Sequence, residues 1–443
     1  MTMAAACTGV EDESQVDGRQ DGPQAIGFGA YLQRGTTRAG AAGTLTLDGA
    51  TSLQTEGFGV TAYHTGHVGY GPLAQPNFMY NQQVTYDGTN WTYEPVKYWP
   101  NETDGLLSFF AYAPYVEVIP QTGLATTDGD VGIGALTSTV KTGDPMARYY
   151  VTLTPSECVD LCWAAPQKNL LKPAVGSKVT FNFKHALASL NVQIKTDVDG
   201  GASVNSKTRI WVRQVTFDGF EMSGMLNLAS ENTPTWYDVM GNRTLGGAAV
   251  TVYDGRYDGR EGLLPSATET PTGLNPQLIQ SSVYTTDPSL VTMTSGVTAT
   301  PQNLFDDEAS ATAPVLVIPS GAPLTVTIVY DVETYDPQLT SNFLSDCSTN
   351  GHTIENRISA RVTTDGSTPI VMQAGRRYTV NLLLGLTGVK TTASVGAWGD
   401  SITGNGELPD DNTVDPDAPV KVNGGDIIND WTDGDTTNEN IEL

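Results

Sequence analysis

Lys178–Thr196, KVTFNFKHALASLNVQIKT, is the stretch that decides the fold class. Val179, Phe181 and Phe183 alternate with polar partners, and Leu190, Val192 and Ile194 repeat the pattern. Successive strand residues point to opposite faces, so period-2 alternation predicts two strands, each with one buried and one wet face, as in an antiparallel sheet. The intervening Lys184–Ala188 is too short for a helix and carries no Gly or Pro turn signal. The stretch reads as the spine of a β-sandwich.

The rest of the composition agrees. A chain of 443 residues has length for two or three cores. Its 47 Gly and 25 Pro, set between short alternating runs, predict an all-β protein with many turns. A formal net charge of −26 argues against electrostatic binding of nucleic acid or of an anionic membrane, and fits an exported surface protein. No window of about 18 apolar residues predicts a spanning helix. Cys7, Cys158, Cys162 and Cys347 are too few for a disulfide framework. Cys158-x3-Cys162 has no second Cys/His pair for zinc, so both read as buried or unpaired thiols, a Cys158–Cys162 bridge being left open. His64 and His67 share a Gly-rich loop and read as solvent-facing. With four His, no nucleophile elbow and no metal-ligand spacing, the expectation is no enzyme, no cofactor and no metal.

Along the chain, Ala4-Ala5-Ala6-Cys7 is followed by a polar segment, Thr8–Gln24, that reads as a flexible tether. In Ala25–Leu32 the residues Ile26, Phe28, Ala30 and Leu32 share one face of a predicted first strand, and Gln33–Gly40 is a small-residue loop carrying Arg34 and Arg38. Asp87-Gly88 between two aromatic strands signals a hairpin. The aromatic block around Trp91-Thr92-Tyr93 and Lys97-Tyr98-Trp99-Pro100 reads as core and edge packing, with glycan stacking on Trp91, Trp99 or Trp236 as the competing reading. Gln167–Ser177 reads as a link between domains. Ala229–Ala313 predicts long loops with minor strands. Pro314–Tyr330 reads as a hairpin about Pro-Ser-Gly-Ala-Pro, and Gly375–Leu384 as a strand. From about Leu408 the chain is an acidic tail in which Ile428–Asp433 loosely echoes Val395–Asp400; Asp430, Asp433 and Asp435 lack the terminal Glu of an EF-hand and read as an acidic turn.

Several of these runs carry one resemblance. F-x-F-K-H-A-L-A-x-L-x-V-x-I at residues 181–194 resembles the central motif of the fimbrillin-like proteins of Bacteroidales, pilins and related surface lipoproteins. Similar to the same family are I-x-F then T-R-A near the start, F-M-Y-N-Q, W-x-Y-x-P-x-K-Y-W-P and F-x-A-Y-x-P in the first half, and G-x-L-N-L, G-x-x-Y-x-V-x-L and V-x-x-W in the second. Asp160-Leu161-Cys162-Trp163-Ala164 stands where the family has D-L-L-Y-A, which leaves the role of Cys162 open. The resemblance covers most of residues 25–400.

It implies two tandem antiparallel β-sandwich (transthyretin-like) domains, residues 25–170 and 171–400, after a signal remnant and tether (1–24) and before the tail (401–443). Lys178–Thr196 would then open the second domain, with His185 packed near the junction. The resemblance further implies a lipoprotein precursor with its lipid on Cys7, held at the outer membrane by that anchor only. A trypsin-like protease would cut the 33–40 loop after Arg38, or secondarily Arg34, and release the first strand with its inward Ile26, Phe28, Ala30 and Leu32. Loss of a strand invites one donated by another pilin subunit, and the tail is a candidate donor. The implied location is the cell surface and fimbrium, with a host or bacterial surface glycan or protein as a further candidate partner. The competing reading is a non-polymerising outer-membrane lipoprotein that binds glycan through exposed aromatics.

Overall fold

The structure is a computed structural model, and it describes residues 23–32, 45, 51–117, 131–137, 139–196, 208–238, 245–254, 302–305, 314–334, 353–364, 368–385 and 389–397. Among these, nearly all regular structure is β, as the alternating runs predict. The exceptions are a single-turn helix, Leu53–Glu56, capped by Ser52, and one 3-10 turn, Pro155–Glu157. Cys7, Arg34, Arg38, Cys347 and the tail from residue 401 lie outside the described residues.

The first strands are Gly27–Leu32 (β1), Phe58–Gly66 (β2), Met79–Tyr86 (β3), Trp91–Thr92 (β4) and Leu106–Ala113 (β5). Next come Gly132–Leu136 (β6), Met146–Tyr150 (β7), Cys162–Ala164 (β8), Gln167–Leu170 (β9), Lys178–His185 (β10) and Ala188–Thr196 (β11). Eight of them form one sheet in the order β2-β3-β4-β1-β10-β8-β5-β9, and β2 also pairs with β5. That extra pairing closes a ring, β2 through β5 and back, with β9 hanging off β5. Closure removes open edges from the ring and leaves its inner face to a core of Phe28, Phe58, Phe109, Phe181 and Phe183. The first sheet therefore differs from the expected open antiparallel sandwich layer: it is closed, and β1 enters it parallel to β10.

The remaining strands are Thr208–Asp218 (β12), Phe220–Glu221 (β13), Ser223–Asn227 (β14), Thr235–Tyr237 (β15), Val250–Asp254 (β16) and Gln302–Asn303 (β17). Val315–Pro319 (β18), Thr325–Thr334 (β19), Thr353–Arg361 (β20), Arg376–Leu384 (β21) and Val389–Ala397 (β22) complete the set. Three further sheets result: β13-β18-β11-β21-β22 with β17 on β11, β16-β12-β19-β20, and β15-β14-β7-β6. All three contribute to a second core that includes Leu190, Val192, Ile194, Phe217, Ile318, Tyr330 and Val380.

Four local expectations change once the pairings are known. Lys178–Thr196 does form two strands, but β10 belongs to the closed sheet and only β11 to a later one, so the stretch joins two sheets instead of opening the second domain whole. Its second strand has no wet face near its start. Ser189 and Asn191, the polar partners of Leu190 and Val192, are buried as well, because β11 is an interior strand between β18 and β21. Gln167–Leu170 is no free linker but a strand on the edge of the closed sheet. Pro314–Tyr330 is not a hairpin: β18 pairs with β11 and β13, while β19 pairs with β12 and β20, so the Ser320–Pro323 turn carries the chain from one sheet to another. The Asp87-Gly88 hairpin is present as expected. Gly88 has φ +99°, the Asp87 N–H donates to Asn90 O at 3.0 Å, and Tyr86 faces Trp91 across it.

Burial of tyrosine hydroxyl groups gives the fold an alkaline limit. The Tyr63, Tyr112 and Tyr149 phenols are pushed above their ordinary value, chiefly by desolvation. An unfolded phenol ionises near pH 10, whereas these stay protonated in the fold. With the folded value raised, stability is whole below about pH 10 and falls as pH rises past it, by about 1.4 kcal/mol per pH unit for each such phenol. Denaturant midpoints measured from about pH 9 to 12 should show this decline; a flat profile would mean that the phenols titrate within the folded chain.

Candidate functional site

The seat of β1 is the first feature of interest. Along Gly27–Leu32, Phe28, Ala30 and Leu32 point inward while Tyr31 is 63% exposed, so the strand has the two faces that its alternation predicts. Ile26, just before it, is also buried. Phe28 is the centre of the ring core, with ring centroids 5.1 Å from Tyr93, 5.9 Å from Phe181, 6.1 Å from Phe109 and 6.3 Å from Phe58. On one side β1 runs in register with β10 from Gly27↔Lys178 to Leu32↔Phe183. On the other it has one regular strand partner position, Phe28↔Trp91.

The thin side is reinforced by the aromatic block. The Ile26 N–H donates to Lys97 O at 2.9 Å, and the Trp99 N–H donates to Gln24 O at 2.9 Å. The Tyr93 hydroxyl donates to Ile26 O at 2.9 Å and accepts from the Lys97 N–H at 3.2 Å. W-x-Y-x-P-x-K-Y-W-P, read from sequence as general core and edge filling, is thus the clamp that holds the start of the first strand. That its aromatics pack into the fold was legible from the sequence; its role against residues 24–28 was not, because the contacts cross some seventy positions of chain.

The same residues bear on the glycan reading. Trp99 is 3% exposed and Trp236 is 7% exposed, with the Trp236 indole N–H donating to Ala186 O at 3.2 Å. Both are interior groups, as the packing reading expects, and this counts against the competing glycan reading for these two residues. Trp91 is half-buried between Phe58, at 5.0 Å, and Tyr86, at 5.2 Å. His67 is exposed, and His64 lies 4.0 Å from Glu102.

The second feature is a buried polar group at the far end of β10. Cys162 and His185 are cross-strand partners in the β8–β10 pair, and Asp160 lies two residues before Cys162. His185 Nδ1 sits 2.6 Å from Asp160 Oδ2, Cys162 Sγ is 3.4 Å from His185 Nδ1, and Cys162 Sγ is 3.7 Å from Asp160 Oδ2. The Leu45 N–H also donates to Oδ2, at 3.0 Å, while Asp160 Oδ1 is buried with no hydrogen-bond partner. Desolvation, followed by the Asp160 charge, pushes the Cys162 thiol well above its ordinary value. So protonated and enclosed a thiol is poorly suited to act as a nucleophile. Cys158 is a separate buried free thiol, raised to about 11 mainly by burial, and there is no Cys158–Cys162 bridge. Sequence reading missed the cluster because Cys162 and His185 meet only through strand register.

Among the described residues no helix is long and apolar enough to cross a membrane. Comparison with known proteins gives a consistent set of relatives. The family model described as fimbrillin-like matches residues 37–398. Fimbrium subunit Fim1C of Phocaeicola vulgatus is 31% identical over 228 residues, an alignment that covers 49% of this chain and 55% of that one, a little over half its length. Crystal structures similar to this chain include a fimbrial protein from Bacteroides vulgatus, 19% identical, covering 85% of this chain and 99% of that one with a TM-score of 0.48. A candidate cell adhesion protein from Bacteroides uniformis is 17% identical, with coverage of 85% and 100% and a TM-score of 0.36.

Proposed function

Because this chain belongs to the fimbrillin-like family, we propose that it is a structural or adhesive subunit of a cell-surface fimbrium, assembled by exchange of its first strand. The observation that carries the reading is the seat of β1. Removing that strand would open the ring between β4 and β10, bare the Lys178–Phe183 edge and expose Phe58, Phe109 and Phe181. Burying Ile26, Phe28 and Leu32 is worth about 1.5–3 kcal/mol each, roughly 5–9 kcal/mol together. Whole domains are stable by only about 5–15 kcal/mol, so a vacated seat strongly favours a replacement strand.

In this reading the chain is exported as a lipoprotein precursor lipidated on Cys7 and held at the outer membrane by that lipid. A trypsin-like protease cuts after Arg38, or secondarily Arg34, and frees the segment that carries Ile26, Phe28, Ala30 and Leu32. Another subunit of the same family then fills the seat, and the tail, residues 401–443, is the candidate donor. Support for the tail is sequence only: Ile428–Asp433 loosely echoes Val395–Asp400. We further read the chain as two β modules, a reading supported by its two clusters of buried residues, with β10 counted to the first module and β6 and β7, earlier in the chain, packed with β14 in the second.

Limited trypsin digestion of the full chain tests the proposal. The expected result is cleavage after Arg38 or Arg34, read by N-terminal sequencing, and a stable remainder that forms ladders resistant to SDS. A remainder that stays monomeric, or cleavage scattered elsewhere, would count against strand exchange and favour the non-polymerising alternative.

A further inference from the structure

We propose that Asp160, Cys162 and His185 form a binding site for one zinc ion inside the molecule, at the end of β10 remote from the entry of β1. The three side chains offer a carboxylate oxygen, a thiolate sulfur and an imidazole nitrogen, all lying within 4.8 Å of one another and all buried. Zinc in a tetrahedral site takes this set of donors, with bonds of about 2.0–2.3 Å that place ligand atoms about 3.3–3.8 Å apart. Two of the three separations, 3.4 and 3.7 Å, already have that size. The third, 2.6 Å between His185 Nδ1 and Asp160 Oδ2, needs to widen by about 1 Å, a shift within the range of a side-chain rotation. Asp160 Oδ1, buried and unpartnered, is a second oxygen that the same carboxylate can turn toward the ion, which it binds through one oxygen, and a water completes the four ligands.

Chemistry selects the ion. A thiolate and an imidazole disfavour calcium and magnesium, which take oxygen ligands, and suit zinc or its spectroscopic substitute cobalt. On binding, the Cys162 thiol releases its proton to water, and the His185 ring keeps its proton on Nε2 with the Nδ1 lone pair directed at the metal. The thiolate and carboxylate then balance the two positive charges, so the enclosed site carries no net charge. The backbone already holds the donors in place: Cys162 and His185 face each other across β8 and β10, and Asp160 is tied to the Leu45 amide. A bound ion would brace β8 against β10, the strand along which β1 lies from Gly27↔Lys178 to Leu32↔Phe183, whichever strand occupies that seat.

The test strips the purified full chain with a chelator and titrates it with cobalt(II), then with zinc. The expected result is one equivalent of cobalt, an intense thiolate-to-cobalt charge-transfer band with the visible bands of a tetrahedral ion, loss of both on adding zinc, and a rise in melting temperature that saturates at one equivalent of zinc. Because Cys162→Ser alters a buried position, the assignment also uses a chain with Cys7→Ser, Cys158→Ser and Cys347→Ser, which keeps Cys162 as its one thiol and should keep the band. A folded chain with neither band nor melting shift overturns the proposal. So does loss of the band from a triple variant that still unfolds cooperatively, because the thiolate is then not that of Cys162.

Discussion

Phe28→Ala is expected to lower the stability of the ring by about 3–5 kcal/mol, the usual range for removing a buried aromatic side chain. The reason is its position. Phe28 contacts four aromatic rings across the core and lies on the strand with the thinnest pairing on one side. Truncation leaves a cavity where β1 meets Phe58, Phe109 and Phe181, and the neighbouring strands are held in the closed ring, so the cavity cannot collapse easily. Tyr31→Ala, three residues along the same strand on its exposed face, should change stability by no more than about 0.5 kcal/mol. Denaturant unfolding of both variants, read by tryptophan fluorescence, compares them directly. Equal losses at the two positions would show that β1 is held by its backbone alone. If strand exchange operates, Phe28→Ala should also speed the loss of the cut strand after trypsin treatment, since the weakened anchor is the one that leaves.

Asp160→Ala should be about as severe, at about 3–5 kcal/mol, for a different reason. One carboxylate oxygen receives the Leu45 amide and approaches His185 Nδ1 and Cys162 Sγ. Removing it takes away the acceptor that these groups share in an enclosed place, and buried polar groups that lose a partner are costly. The measurement is the unfolding midpoint of the metal-free chain, which separates this effect from any contribution of zinc. A loss below about 1 kcal/mol would show that the cluster relaxes or admits water on losing its acceptor.

How much of this was legible in the sequence depends on the range of the interaction. The inward row of Ile26, Phe28, Ala30 and Leu32 follows from alternation alone, since side-chain direction in a strand depends on parity. The Asp87-Gly88 hairpin follows from a glycine suited to positive φ beside an Asp whose carboxylate accepts from the Thr89 and Asn90 amides. Pro314–Tyr330 misled because two alternating runs about a turn have the same local pattern whether or not they pair with each other. Ser189 and Asn191 misled because polar residues in a strand read as exposed, whereas an interior strand between packed layers buries both faces.

The sequence by itself determined the all-β class, the inward face of the first strand and the tight turns, all of which rest on contacts between near neighbours. Only the tertiary structure decided that β1 runs parallel to β10 inside a closed ring, that Tyr93 and Lys97 clamp its start, and that Cys162 meets His185 beside Asp160. Those outcomes depend on strand register over long separations. Alternation says which side of a strand is apolar, but many partners and offsets satisfy the same pattern, and only packing of the whole chain selects one of them.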